Sequence, residues 1–191
     1  MSSPRPLRVD AERNRQRLLE VAEAVFANEG LEVPIDEIAR RAGLGVGTLY
    51  RHFPTKEALF AAIVIGRLQR VIEEAHGRTQ APDPAEAFFG FVAYLAEESA
   101  KKKDFLHALA SSGFDVRRAM GDVKAELSRV MGKILKRAQD AGAVRKDVDA
   151  SEVLALVAAT SSSIERLGPG ARRQQRLVGI LCDGLRARTE K

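Results

Sequence analysis

Residues 34–53 read PIDEIARRAGLGVGTLYRHF, and this is the stretch whose residue types could do chemistry. Ile38, Ala39, Leu44, Leu49 and Phe53 are spaced to face inward. That leaves Val46, Gly47, Thr48, Tyr50, Arg51 and His52 outward on one short helix. A short helix with its polar side free fits a DNA major groove about 12 Å wide. Between Ile38 and Lys56 there are four cations, Arg40, Arg41, Arg51 and Lys56, and no acid. Such a patch neutralises phosphates and makes binding salt-dependent. The field is local, because residues 1–60 carry nine basic and nine acidic side chains.

The elements that position this stretch read as helices. Apolar residues recur at helical period through most of the chain, so the expected class is all-α. No alternating strand pattern persists, and Asp183-Gly184 falls inside a helical pattern. A first helix is expected from Asp10, its N-cap, to Asn28, with Leu18, Leu19, Ala22, Val25 and Phe26 on one face and Gly30 closing it. Short helices over 35–42 and 46–52, joined by Gly43-Leu44-Gly45, make a helix-turn-helix. Thr55 is placed to cap a helix over 56–76. After the linker-like GRTQAPDP at 77–84, further helices are expected over 85–101, 103–112, 115–141, 150–167 and 169–188. The expected organisation is an N-terminal three-helix domain with the helix-turn-helix, 1–55, followed by a helical bundle, 56–191.

Composition narrows the classes further. The 191 residues carry a net charge of +5, compatible with an anionic partner but not diagnostic of one. One cysteine, Cys182, excludes an internal disulfide framework and fits a reducing cytoplasm. The longest apolar run, Ala58 to Gly66, is too short for the roughly 20 residues of a membrane span. No secretory leader pattern opens the chain.

Other candidate chemistry is weaker. Gly43, Gly45 and Gly47 follow a helix rather than a strand, which argues against a dinucleotide loop. His52, His76 and His107 are too scattered for zinc, and Ser161, Ser162 and Ser163 lack a nucleophile elbow or a base. No metal, cofactor or enzymatic constellation is expected. Ala155, Ala158, Ala159 and Ser162 form a flat face, and Leu177, Val178, Leu181 and Leu185 an apolar stripe. These last two helices, about 150–188, are the expected homodimer seam, with an intramolecular core as the alternative.

The stretch around 10–60 resembles the TetR family of transcriptional regulators. The resemblance centres on Ile38-Ala39, Ala42-Gly43, Gly47-Thr48-Leu49-Tyr50, His52-Phe53 and Lys56-Glu57-Ala58-Leu59. Beyond residue 60 it is one of architecture alone. It implies a homodimeric regulator, expected to be a ligand-responsive repressor on palindromic double-stranded DNA. The implied DNA-binding set is Arg40, Arg41, Gly45, Val46, Gly47, Thr48, Tyr50, Arg51, His52 and Lys56. Within it, Thr48, Tyr50 and His52 would meet phosphates or bases, Gly47 would let a phosphate approach, and Lys56 would hold phosphate at a helix start. Arg51 would read a guanine edge and Val46 a thymine methyl. By the same analogy, a small-molecule effector would meet Arg67, Phe91, Tyr94, Phe105, His107, Ser111, Phe114, Met120 and Met131, residues that core packing explains equally well.

Two positions depart from the family pattern. Pro34 stands where Ser or Thr is usual, and Gly45 where Ser is usual, so two capping or phosphate-binding groups are missing. Arg5 and Arg8 are candidates to compensate through the adjacent minor groove or backbone. The departures leave open a second reading: a helical ligand-binding or scaffold protein that no longer reads DNA.

Overall fold

The computed structural model describes residues 5–101, 105, 108–109, 116–166 and 171–187. Among them are eight helices and no strand. In chain order these are α1 (Arg5–Glu29), α2 (Ile35–Arg41), α3 (Val46–His52), α4 (Lys56–Arg78), α5 (Pro84–Lys101), α6 (Val116–Asp140), α7 (Ala150–Arg166) and α8 (Ala171–Leu185). Of the helix expected over 103–112, only Phe105, Ala108 and Leu109 are described, and all three are helical.

The chain forms two compact units. The first is Met1–Gly66 with Asp104–Val116, and the second is Arg67–Lys103 with Arg117–Lys191. The cut falls within α4.

The first unit is built on the expected apolar faces. Leu18, Ala22 and Phe26 of α1, Ile38 and Ala39 of α2, Leu49 of α3 and Leu59, Ile63 and Val64 of α4 are all buried. Phe26, Phe60 and Phe105 meet edge to face, with ring centroids 5.2, 5.5 and 6.0 Å apart. Such arrangements match the aromatic quadrupoles. Phe105 thus belongs to this core, although it is 45 residues beyond Phe60.

The first helix starts earlier than its sequence suggests. α1 begins at Arg5, not at Asp10. Pro6 lies in the first turn, where proline costs nothing because that amide has no helical acceptor. Nothing between Pro6 and Asp10 interrupts the helix. The backbone at Arg5 and Arg8 is therefore helical.

The second unit closes around Phe88, Phe91, Val92 and Leu95 of α5, Val130, Met131 and Ile134 of α6, and Val153 and Val157 of α7. Its helices are capped locally. Asp83 Oδ1 accepts from the amides of Ala85 and Glu86 at 2.8 and 3.1 Å. Asp149 and Glu152 form a reciprocal capping box at the start of α7, with bonds of 2.9 and 2.8 Å. Of the three serines of α7, Ser161 is buried, with its Oγ 3.0 Å from the Val157 carbonyl and 3.3 Å from that of Ala96. The opposite side of α7 is open: Ala155, Leu156, Ala158, Ala159 and Ser162 are exposed. On α8, Ile180 is exposed, while Leu177, Val178 and Leu181 are half-buried and Leu185 is buried in the core.

Candidate nucleic-acid interface

α2 and α3 are held apart by a turn that only glycine makes at low cost. Ala42 ends α2, and Gly43 follows with φ +66°. The Gly43 amide donates to the Arg40 carbonyl at 3.1 Å, and the Leu44 amide to that of Ala39 at 3.0 Å. This pair of bonds is the Schellman closure, which leaves the chain free to start a new helix at a new angle. Gly45 then opens α3 with extended backbone and no side-chain cap. Pro34 likewise opens α2 without one.

The orientation of α3 follows from burial. Leu49 is fully buried and Phe53 nearly so, and these two fix the inner side. Val46, Gly47, Tyr50 and Arg51 are exposed, at the i, i+1, i+4 and i+5 spacing of one helix face. Thr48 and His52 are half-buried at its flanks. A side chain added at Gly47 would meet nothing within 4 Å, so a large ligand has close access to that backbone. The exposed face of α3 thus offers a cation, a phenol, a branched apolar group and bare backbone within two turns.

Around it lie further cations. Lys56 is the first residue of α4, whose start is capped by Thr55 Oγ1 accepting from the Ala58 amide at 3.1 Å. Lys56 Nζ sits 5.8 Å from the Phe60 ring centroid, a cation–π contact that leaves it half-buried. Arg15 stacks over Phe53 in the same way, at 5.5 Å.

Two of the four cations are paired with acids that precede the stretch. Arg40 and Arg41 are both engaged by Glu37, one turn back on α2, and Arg41 also by Glu29 at the end of α1. These pairs hold the Glu37 carboxyl down at about 2 and lower that of Glu29 as well. The Tyr50 hydroxyl donates to Asp36, which raises the phenol's pKa. Asp36 and Glu37 lie immediately before the acid-free stretch that opens at Ile38. The i, i+3 and i, i+4 spacing of Glu37 to Arg40 and Arg41 is the signal of this pairing in the sequence.

Of the expected effector residues, Arg67, Phe91, Tyr94, Phe105 and Met131 are described with their side chains. Phe91 and Met131 are fully buried in the core of the second unit, and Tyr94 is half-buried and stacks on Phe91 at 6.3 Å. Arg67 is half-buried on α4. Phe105 packs in the first unit with Phe26 and Phe60. His107, Ser111 and Phe114 lie outside the described residues, as does the side chain of Met120. An open groove of about 500 Å³ runs between α4 and α6, lined by Gln69, Ile72, Glu73, Asp122, Val123 and Glu126, none of them in the implied effector set. Among the described residues there is no group of metal-ligating side chains, and no helix is long and apolar enough to cross a membrane.

Comparison with known proteins agrees with this geometry. The profile for bacterial regulatory proteins of the tetR family matches residues 18–63. The profile for the C-terminal domain of SbtR-like transcriptional regulators matches residues 83–187. A crystal structure of a TetR transcription regulatory protein from Mycobacterium vanbaalenii is 42% identical, with a TM-score of 0.76, over 95% of this chain and 100% of that one. A TetR transcriptional regulator from Streptomyces coelicolor is 31% identical, with a TM-score of 0.73, over 92% and 99%. An HTH-type transcriptional regulator of Staphylococcus aureus strain USA300 is 48% identical over 54 residues, which is 28% of this chain and 29% of that protein. The chain thus spans under a third of the length of the curated relatives it matches.

Proposed function

This chain belongs to the TetR family of transcriptional regulators, and we propose that it represses transcription as a homodimer that binds a palindromic operator and is released by a small-molecule effector. The observation that carries the DNA-binding part is α3, with Val46, Tyr50 and Arg51 exposed over a fully buried Leu49. In this reading α3 lies in the major groove. Arg51 reads a guanine edge and Val46 a thymine methyl. Thr48, Tyr50 and His52 meet phosphates or bases, Gly47 lets a phosphate approach its amide, and Lys56 holds phosphate at the start of α4.

Support for the dimer comes from the exposed small-residue face of α7, Ala155, Ala158, Ala159 and Ser162, together with exposed Leu156 and Ile180. A second copy on this face would generate a two-fold axis, so the operator would be palindromic with half-sites about one helical turn, or a multiple, apart. The effector would be apolar or amphipathic and would act on the helices beyond residue 56, with Tyr94 and Arg67 as polar contacts. Its coupling to DNA is reciprocal: the operator weakens the effector by the factor by which the effector weakens the operator.

Selection of bound sequences from random duplex DNA tests this reading, followed by anisotropy titration of the enriched duplex and sedimentation of the complex. Enrichment of a palindrome bound by two chains supports it. No enrichment above the starting pool, or a one-chain complex, overturns it.

A further inference from the structure

α2 ends on two consecutive arginines, and both turn back to one carboxylate. Arg40 Nε donates to Glu37 Oε2 at 2.7 Å and Arg40 Nη2 to Oε1 at 2.6 Å. Arg41 Nε donates to the same Oε1 at 2.7 Å. The remaining fork of Arg41 is taken by Glu29, with Nη2 donating to Oε2 at 2.9 Å. A guanidinium meets a carboxylate and a phosphodiester with the same two-pronged geometry. Glu37 therefore occupies the donors that a DNA backbone would otherwise take.

We propose that Glu37 is a specificity-determining residue of DNA binding. By holding Arg40 and Arg41 it suppresses phosphate-driven affinity for duplex of any sequence, and it leaves discrimination to the exposed face of α3. The inference rests on the DNA-binding reading above. Non-specific affinity is almost wholly electrostatic, and each phosphate neutralised steepens the dependence of log K on log salt by about 0.9. On an operator, the base contacts of α3 fix the register, whether or not the α2 arginines then meet phosphates. On a random duplex the chain is free to settle wherever freed arginines find them. Releasing Arg40 and Arg41 thus strengthens random binding more than operator binding. The pairs are open to this competition, since the Arg40 side chain is 73% exposed against 25% for Glu37. The carboxylate is ionised at neutral pH, so it stays a partner for both arginines in working conditions.

The test uses the full chain as wild type, E37Q, E29Q and E37Q/R40Q/R41Q. Each is titrated by anisotropy against the selected operator and a scrambled duplex of equal composition over a range of salt, and its folding is checked by thermal melting. For E37Q the expected result is scrambled-duplex binding tightened by about tenfold at low salt, a salt slope steeper by about one to two, and a lower operator-to-scrambled ratio. Adding R40Q and R41Q to E37Q removes the added slope. E29Q, which takes away only the second acid on Arg41, shifts both readouts in the same direction by less, and decides the matter if E37Q melts below the assay temperature. A folded E37Q, or failing that a folded E29Q, with wild-type slope and wild-type scrambled affinity overturns the proposal while leaving the DNA-binding reading intact. A wild-type chain that binds neither duplex removes both.

Discussion

Arg137 of α6 holds the carbonyl oxygen of Ala81, 56 residues earlier, with Nη2 donating at 2.7 Å. Its Nη1 donates to the Thr79 carbonyl at 2.7 Å and reaches that of Arg78 at 3.3 Å. One guanidinium thus caps the end of α4 and fastens the linker to α5. Carbonyls at the end of a helix have no helical donor of their own. Charge-assisted bonds of this kind contribute about 1.5–3 kcal/mol each when partly buried, with less than full additivity. Arg137→Ala is expected to lower the urea midpoint by an amount equivalent to about 2–4 kcal/mol. Arg137→Lys keeps the charge but not the fork, and is expected to recover less than half. Wild-type midpoints in both variants would remove Arg137 as the cap.

Opposite changes are expected at two glycines only two positions apart. Gly43 sits at φ +66°, where a side chain is strained by roughly 1–2 kcal/mol, although a Cβ there would meet only Arg17 Nη2 at an ordinary 3.6 Å. Gly43→Ala is therefore expected to destabilise through the backbone alone. Gly45 has φ −68°, and a Cβ there would meet nothing within 4 Å, so any residue fits. Gly45→Ser adds the missing hydroxyl cap of α3 and restricts the unfolded chain, for a gain of about 0.5–1 kcal/mol. Thermal melts of the two single variants check the signs, and melting points that move in the same direction would contradict this account.

Periodicity makes most of the helices legible, together with the inward faces that Leu18, Ile38, Leu49 and Ile63 occupy, because burial follows spacing along a single helix. The outward set on α3 follows by subtraction. What stays hidden depends on contacts between distant segments. Phe105 reads by position as a residue of the C-terminal part, yet it packs on Phe26 and Phe60. Nothing local to Arg137 announces that it caps a helix ending 59 residues earlier. The pairing of Glu37 is legible from spacing when charges are grouped by helix face, and is lost when they are grouped by segment. The start of α1 escapes the sequence because Asp10 is a good cap by type, while nothing in its neighbours forces the helix to begin there.

Acid stability follows from the same acids. The Glu37 carboxyl is held at about 2, against 4.5 ordinarily, by hydrogen bonds from Arg40 and Arg41, and that of Glu29 is lowered by Arg41. A carboxyl depressed in the folded state adds stability above its unfolded value, and that stability is lost as pH falls through the folded value. The contribution of Glu37 is therefore whole above about pH 4.5 and gone near pH 2. In melts over this range, E37Q is expected to start lower than wild type at neutral pH and to converge with it toward pH 2. The pairs are exposed, so added salt is expected to narrow the gap. A gap that persists undiminished at pH 2 would assign the loss to packing rather than charge.

Leu49 and Arg51 lie two residues apart on α3 but face opposite ways, and they separate folding from reading. Leu49 has no exposed surface, so Leu49→Ala leaves a cavity where α3 packs on α1 and α2 and is expected to cost about 2–5 kcal/mol. Its DNA binding should fall in proportion to the unfolded fraction and equally for every sequence. Arg51 is exposed, so Arg51→Ala is expected to leave stability within about 0.5 kcal/mol of wild type. If it reads a base, it relaxes preference at one base-pair position by about 1–3 kcal/mol and leaves other positions untouched. A panel of duplexes varied one base pair at a time, titrated with the folded variant, distinguishes the cases. Uniform weakening across the panel would make Arg51 a phosphate contact, and the reading of sequence would then fall to Val46 and Tyr50.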